Sequence, residues 1–433
     1  MNRYDPVAVG MFYDRNIMAR TLPPRPTTPP LSTPVPNEIK VLIAGALLIA
    51  LGFGLIAPIL PQYASSFDVN HMMAAAIVSV FAFTRLAFAP FAGGVSEKLG
   101  EPGAYVLGVM IVAISTIACG LAPDYWTLIV VRGIGGIGSV TFTVAASSFI
   151  ARTSPPDIRG RIAGLYGGAF LIGNVCGPLV GGLLAPLGYR VPFFIYGGSL
   201  IAASLIVFYF LVSSRGRQGQ PRERHNLPPY SLADALANPK YRAALLSNFG
   251  NGWMSFGVRV AIVPLFAAQV LGLDPLAVGL VMTCFAAGNA AALTFSGRWS
   301  DRVGRRRPII IGLSLAAVCS AAIGLSPNLA LLVVLSLLSG FGTGIFNPAQ
   351  QAAVADIVGP EHHAGRVMSM FQMAADLPAM IAPLIAGWIA DHFGFSWAFI
   401  LSGVIMGIGV IAWILVAPRQ SIDHTEVVPR KRS

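Results

Sequence analysis

Long apolar stretches recur along this chain with little between them. They fall near residues 41–63, 72–93, 104–122, 126–150, 161–185 and 191–213. After a polar interval they return near 243–270, 276–296, 309–325, 329–353, 367–390 and 396–417. Each is close to the ~20 residues that cross the hydrocarbon core of a bilayer as a helix. The pattern therefore predicts an all-α membrane protein with twelve transmembrane helices. The interval 214–242, carrying Arg215, Arg217, Arg222, Arg224, Lys240 and Arg242, reads as a linker between a bundle at 40–213 and a bundle at 243–417. Residues 1–39, polar and rich in proline, read as a disordered arm, and 418–433 as a tail.

Composition sharpens this reading. Apolar residues make up 55% of the chain and charged ones 11%, against about a quarter charged in a soluble domain. The net charge of +11 could suggest nucleic acid, but the bases are scattered between apolar runs and so report topology instead. With the N-terminus inside, 25 of the 29 Lys and Arg residues fall on the cytoplasmic side. Adding or losing one span would scramble that asymmetry, so both termini and the linker are expected in the cytoplasm. Cys119, Cys176, Cys284 and Cys319 all lie in apolar runs without metal-ligand spacing, and read as small core residues.

The segment from Gly297 to Arg307 carries an acid at Asp301 four positions after the first glycine, a base at Arg302, a second glycine at Gly304 and then Arg305, Arg306 and Arg307. A weaker copy lies 204 residues earlier, with Gly93, Glu97, Lys98 and Gly100, but with Glu101 and Pro102 where bases would follow. Gly136 and Gly138 match Gly340 and Gly342 at the same offset. The chain thus reads as two equivalent six-helix bundles, pseudo-symmetric about an axis along the membrane normal, with a binding site between them. The glycine–acid–base loop, read as a short hairpin between spans, resembles the signature loop of the major facilitator superfamily between the second and third spans and again between the eighth and ninth. The resemblance implies a cytoplasmic gate in which Asp301 and its bases latch the halves; the degenerate first copy weakens any matching latch in the N-half.

The fifth span contains Gly173, Gly177, Pro178, Gly181 and Gly182. Gly173, Gly177, Gly181 and Gly182, at i, i+4, i+8 and i+9, are expected to make one flat helix face for close packing, and the proline bends the helix. The pattern G-x-x-x-G-P-x-x-G-G also resembles the antiporter motif of drug:proton exporters within that superfamily. In the fourth span Gly133, Gly135 and Gly138 satisfy a dinucleotide fingerprint formally. No βαβ unit surrounds them, so that reading is rejected. The segment is similar instead to the exporters' fourth-span motif, with Gly135 in place of the usual glutamine, which leaves Arg132 as the functional candidate.

Within the spans the ionisable residues are Arg85, Arg132, Arg259 and Asp376. Such groups cost several kcal/mol at mid-bilayer unless paired or facing water, and each is a functional candidate by default. Arg85 and Asp376 fall on the second and eleventh spans, which face each other across the boundary between halves in the family fold. They are expected to pair in one state and part in another, coupling proton movement to transport, or else to form a permanent structural pair. Arg132, Arg259, Asn251, Trp253, Asn347 and Gln351 are candidates for a substrate cavity, with helix packing as the plain alternative. The resemblance implies a secondary transporter needing no cofactor or metal, driven by an ion gradient, expected to be protons. Proton-coupled export of a small amphipathic or drug-like molecule by alternating access is the leading reading. Uptake of an organic anion, gripped by Arg132 and Arg259, is the first alternative, and a membrane-embedded enzyme or receptor the second. The partners implied are lipid and a small molecule, not nucleic acid, with a monomer in the bacterial plasma membrane.

Overall fold

In the computed structural model the described residues are 35–154, 158–212, 230–359 and 365–416. Most of the expected arm, the first part of the linker and the tail lie outside them. The N-half consists of α1 (Asn37–Ile56), α2 (Leu60–Ser65), α3 (His71–Leu99), α4 (Glu101–Leu121), α5 (Tyr125–Thr153), α6 (Arg159–Leu184) and α7 (Val191–Val207). The C-half consists of α8 (Leu232–Ala237), α9 (Pro239–Asn251), α10 (Arg259–Gln269), α11 (Pro275–Val303), α12 (Arg306–Ile323), α13 (Leu329–Val358), α14 (Gly365–Phe393) and α15 (Phe395–Leu415). A π-helical segment, Gly252–Val258, joins α9 to α10 into one span. Among the described residues twelve helices or joined helices are long and apolar enough to cross a membrane. Among the described residues there is no strand.

Several helices outrun the apolar stretches that announce them. Helices α3 and α11 reach Leu99 and Val303, so each is ~43 Å long at 1.5 Å per residue. The glycine–acid–base segments are therefore not hairpins along their length. Gly93 to Leu99 and Gly297 to Val303 are helical, and the turn is concentrated at Gly100 (φ 73°) and Gly304 (φ 84°). Those values lie in the left-handed region, which glycine enters without a Cβ penalty. The first span is broken at Pro58: α1 stops at Ile56, α2 starts at Leu60, and Gln62 donates to the Pro58 carbonyl at 2.7 Å.

The 204-residue repeat is visible in the packing. A Cβ on Gly138 would stand 2.6 Å from the Gly108 carbonyl, and one on Gly342 would stand 2.5 Å from the Gly312 carbonyl. A Cβ on Gly136 would meet the Phe81 carbonyl at 2.5 Å, and one on Gly340 the Phe285 carbonyl at 1.9 Å. All four pairs of positions differ by the same 204. Each half thus uses identical small-residue contacts to bring its helices together, as expected where lipid removes the hydrophobic drive for helix association.

The helix ends define two faces. One, the basic end, carries the turns after α3 and α11, with Lys98, Arg302, Arg305, Arg306 and Arg307; the other, the far end, carries the starts of α3, α5, α11 and α13. Helix α3 packs on α14 and α6 on α11, joining the halves. Toward the far end these helices touch closely: a Cβ on Gly387 would stand 2.7 Å from Met72, and one on Gly182 would stand 2.7 Å from the Pro275 carbonyl. Toward the basic end, Gly93, Gly94, Gly164, Gly167, Gly168 and Gly297 have nothing within 4 Å of a would-be Cβ. The close glycine contacts between the halves thus lie toward the far end.

Because the two glycine contacts are equivalent, Gly138→Val and Gly342→Val should each destabilise the protein by ~1–3 kcal/mol through overpacking. Gly407→Ala, where nothing lies within 4 Å, should change little. Melting of the detergent-purified variants checks this, the two valine variants falling together and the alanine variant staying with the parent.

Candidate transport pathway and its gates

At the far end one carboxylate bridges the halves. Asp391, near the end of α14, accepts the backbone N–H of His71 at 2.9 Å and that of Met72 at 3.0 Å, so it caps the N-terminus of α3 from the other half. Its Oδ1 also lies 2.5 Å from Nδ1 of the His71 ring, whose Nε2 faces Oε1 of Gln269 on α10 at 2.5 Å. On the other side of the seal, α6 and α11 meet through glycine: Gly182 reaches Pro275 and Leu276, and Gly279 reaches Pro178. One seam is polar and the other is bare backbone.

At the basic end each half ties the start of one helix to the end of the next. Arg305, preceding α12, donates to Asp301 and, at 3.0 Å, to Asp356 near the end of α13. These bonds, the one donated to Asp301 foremost, hold its guanidinium above the ordinary arginine range. Asp301 sits in the last turn of α11, so it binds a base and caps no helix N-terminus. Arg302, Glu97 and Lys98 are exposed, and among the described residues Glu97 and Lys98 form no ion pair. Adjacent residues on a helix point apart, which is why their sequence proximity produces no bridge.

The N-half nevertheless has its tie, with the charges reversed. Glu101 at the start of α4 and Arg152 near the end of α5 approach to 2.5 Å. These positions are the 204-residue equivalents of Arg305 and Asp356. The contact is ionic rather than a well-aligned hydrogen bond, since Glu101 Oε2 has no hydrogen-bond partner.

Between the ends lie the candidates for chemistry. Arg85 on α3 donates to Ser139 on α5, while Asp376 on α14 accepts from Gln372 at 3.3 Å. The two charges are not in contact here, although Asp376 is the acid whose field Arg85 experiences. The π-helical segment passes beside them, with a Cβ on Gly252 placed 2.1 Å from the Ala375 carbonyl. Arg132 and Arg259 are 6% and 2% exposed. Their guanidiniums stack on Phe81 and Phe285 at 4.1 Å and 3.6 Å from the ring centroids. Those two phenylalanines are again 204 apart. Arg259 donates to Ser339 at 2.9 Å, but its Nε and Nη1 have no hydrogen-bond partner, nor does Arg132 Nε.

The glycines of the sixth helix serve α1. Gly173, Gly177 and Gly181 lie against Ala50, Leu51, Gly54 and Leu55, with Pro178 also touching Gly54, whereas Gly182 faces the other half. Asn251 accepts from Ser255, and Trp253 is buried and donates to Ser402 at 3.1 Å. Gln351 is exposed and donates to Asn347, which is half-buried, on the same face of α13.

The Major Facilitator Superfamily profile matches residues 42–257 and 244–432, nearly the whole apolar region. The chain belongs to the major facilitator superfamily. Its relatives include Multidrug resistance protein 2 of Bacillus subtilis, 23% identical over 389 residues, spanning 86% of this chain and 94% of that one. Multidrug resistance protein MdtG of Proteus mirabilis is 25% identical over 408 residues, spanning 87% and 95%. Among solved structures, a bacterial homologue of the human lysosomal transporter Spinster superposes with a TM-score of 0.74 at 18% identity, covering 88% of this chain and 96% of that chain. A D-xylose–proton symporter superposes at 0.68 with 17% identity, covering 88% and 97%. This facilitator protein is a multi-pass membrane transporter and not an enzyme.

In this facilitator fold, sequence reasoning missed His71, Gln269, Asp391, Arg152 and Asp356. The repeat offset could have found the reversed tie, because Glu101 and Arg152 map directly onto Arg305 and Asp356. It could not have found the far-end bridge, which joins residues that are not repeat equivalents. If the N-half tie is electrostatic, Glu101→Arg should lower the melting temperature by placing two cations together. Adding Arg152→Asp, which copies the C-half arrangement, should recover it. The effect is ~0.5–1 kcal/mol for a pair whose arginine stays in water, and a double-mutant cycle read by thermal unfolding checks it.

Proposed function

We propose that this protein exports a small amphipathic molecule in exchange for protons, alternating access between the two ends. The observation that carries the reading is the setting of Asp376, a carboxylate midway along a span, at the seam between halves and in the field of Arg85. A carboxyl in that position changes its surroundings whenever the halves move. A cation close by and a cation withdrawn are two different settings for that carboxyl. Such a group can exchange proton loading for conformational change.

Export is supported by the relatives' names as multidrug resistance proteins and by the complete glycine motif in α6. Three of its glycines fix α6 to α1, and the fourth leaves α6 free to seat against α11 at the far end. The positive-inside rule supports the basic end as the cytoplasmic one, with the far end outside, and the bacterial relatives support an inner-membrane location. The arrangement with the far end joined is then open to the cytoplasm, ready to load substrate from within.

A second reading keeps the fold and changes the cargo. Arg259 is buried with two unpartnered donor groups, and a buried cation lacking an acid partner can receive a carboxylate or phosphate from a ligand. Uptake of an organic anion fits that feature. Transport in proteoliposomes under an imposed pH gradient separates the readings by the direction of flux.

The coupling role yields a specific expectation. Asp376→Asn should abolish gradient-driven accumulation while leaving substrate binding or downhill exchange measurable, since the amide keeps the shape and loses the titration. An Asn variant that still concentrates substrate against a gradient would remove Asp376 from the coupling step.

A further inference from the structure

We propose that His71, Asp391 and Gln269 form a proton-binding site at the far end, separate from any transported proton, and that occupying it holds the far-end seal closed. The inference uses only the alternating-access part of the reading above and does not depend on cargo or direction of transport.

The argument begins with the inventory of donors. A neutral imidazole has one N–H and one bare nitrogen, so it can face one acceptor and one donor. Here both ring nitrogens face acceptors: Nδ1 the Asp391 carboxylate and Nε2 the Gln269 amide oxygen, each at 2.5 Å. On its other side Gln269 Nε2 lies 3.5 Å from Ser65 Oγ, a hydroxyl that can accept or donate. With a neutral ring, one nitrogen lone pair would point at an oxygen lone pair. With an imidazolium, both contacts are donating hydrogen bonds, and the one to Asp391 is charge-assisted.

The carboxylate is placed to make that proton matter. Asp391 already accepts two backbone N–H groups at the start of α3, where the helix dipole favours an anion. The protonated ring adds a third donor and, through Gln269, a link to α10. Three helices are joined through one side chain: α3 from the N-half, with α14 and α10 from the C-half. Opening the far end separates His71 from both partners, leaving its ring in water.

The neighbouring charges do not supply a competing partner. Asp124 is held by Thr127, Asp274 by the Ala277 N–H and His392 by the Trp388 carbonyl. Tyr125 donates to the Met73 carbonyl, and Tyr63 toward the Cys119 carbonyl. Helix α15 offers only the edge-on ring of Phe395, at 4.8 Å. Asp68, in the turn before α3, is the remaining acid nearby, and among the described residues the ion pair of His71 is with Asp391.

The sign follows from linkage. If closing the seal favours the protonated ring, protons in the far-side water strengthen the seal and their removal weakens it. The proton comes from the far-side water and returns there when the seal opens, so it does not enter the transport stoichiometry. It acts as a sensor of pH on that face, biasing the protein toward the state open at the basic end.

Spin labels on Trp126→Cys and Leu325→Cys report the seal, both positions being exposed at the far end on opposite halves, in a chain whose four native cysteines are alanine. Distances are measured without substrate or gradient, so failure of the export reading cannot imitate failure of this one. In the parent, the short-distance population should fall at least threefold between pH ~5.5 and ~8. His71→Gln should show less than a ~1.5-fold change over that window, and His71→Arg, permanently charged and carrying several donors, should keep the short distance at the upper pH. Gln269→Glu, which presents acceptors only, should move the midpoint upward. A parent without a pH response, a His71→Gln variant that keeps it, or a midpoint that falls in Gln269→Glu would each overturn the proposal.

Discussion

Glycine against a backbone carbonyl is the contact on which this protein depends. Lipid tails solvate apolar side chains as well as other helices do, so the hydrophobic effect does little to hold one span against the next. Dispersion between closely approaching backbones takes its place. That approach requires positions without side chains, as where α4 and α5 cross at Gly108 and Gly138 and where α12 and α13 cross at Gly312 and Gly342. Packed surfaces of this kind deform poorly, since a shift of an ångström forfeits much of the attraction. Each half therefore behaves as a block, and motion is left to the seam between blocks.

The seam is built differently, which is what allows it to open. Its polar side relies on one carboxylate capping a helix of the opposite half, a bond that water can replace when the halves part. Its other side, where α6 meets α11, relies on Gly182 and Gly279, which leave no interlocking side chains to obstruct separation. The ionisable groups inside the membrane then divide by surroundings. Arg132 and Arg259 are enclosed within their halves on phenylalanine rings, while Arg85 and Asp376 lie where α3 meets α14. Only the latter pair lies at the seam between halves, and this is the physical reason for proposing coupling there. The π-helical segment of the seventh span, beside Ala375, adds a point where the backbone ladder is already loosened.

Much of the fold was legible in the sequence because membrane helices announce themselves. Uninterrupted apolar runs located the spans, and the offset of 204 exposed the repeat. Helix ends were less legible, because charged turns such as Glu97–Lys98 can continue a helix past the hydrocarbon; hydropathy alone marked those turns as loops. The site was legible only in part. Glu101 stood out as a departure from the loop pattern and suggested a missing latch, whereas its partner Arg152 carries the complementary departure and restores the bond. His71 and Asp391 gave no signal at all, being single polar residues at helix ends whose meaning comes from a contact across 320 positions.

The central claim is that two rigid halves rock about a seam, closing one end as they open the other. Distances between spin labels test it most directly, with one pair across the basic end at Leu99 and Val303, one across the far end at Trp126 and Leu325, and one inside the N-half at Leu99 and Leu187. When conditions shift the protein between states, the first two distances should change in opposite senses while the third stays fixed. If both ends lengthen together, or if the distance within the N-half changes as much as those between halves, the rigid-block account is wrong.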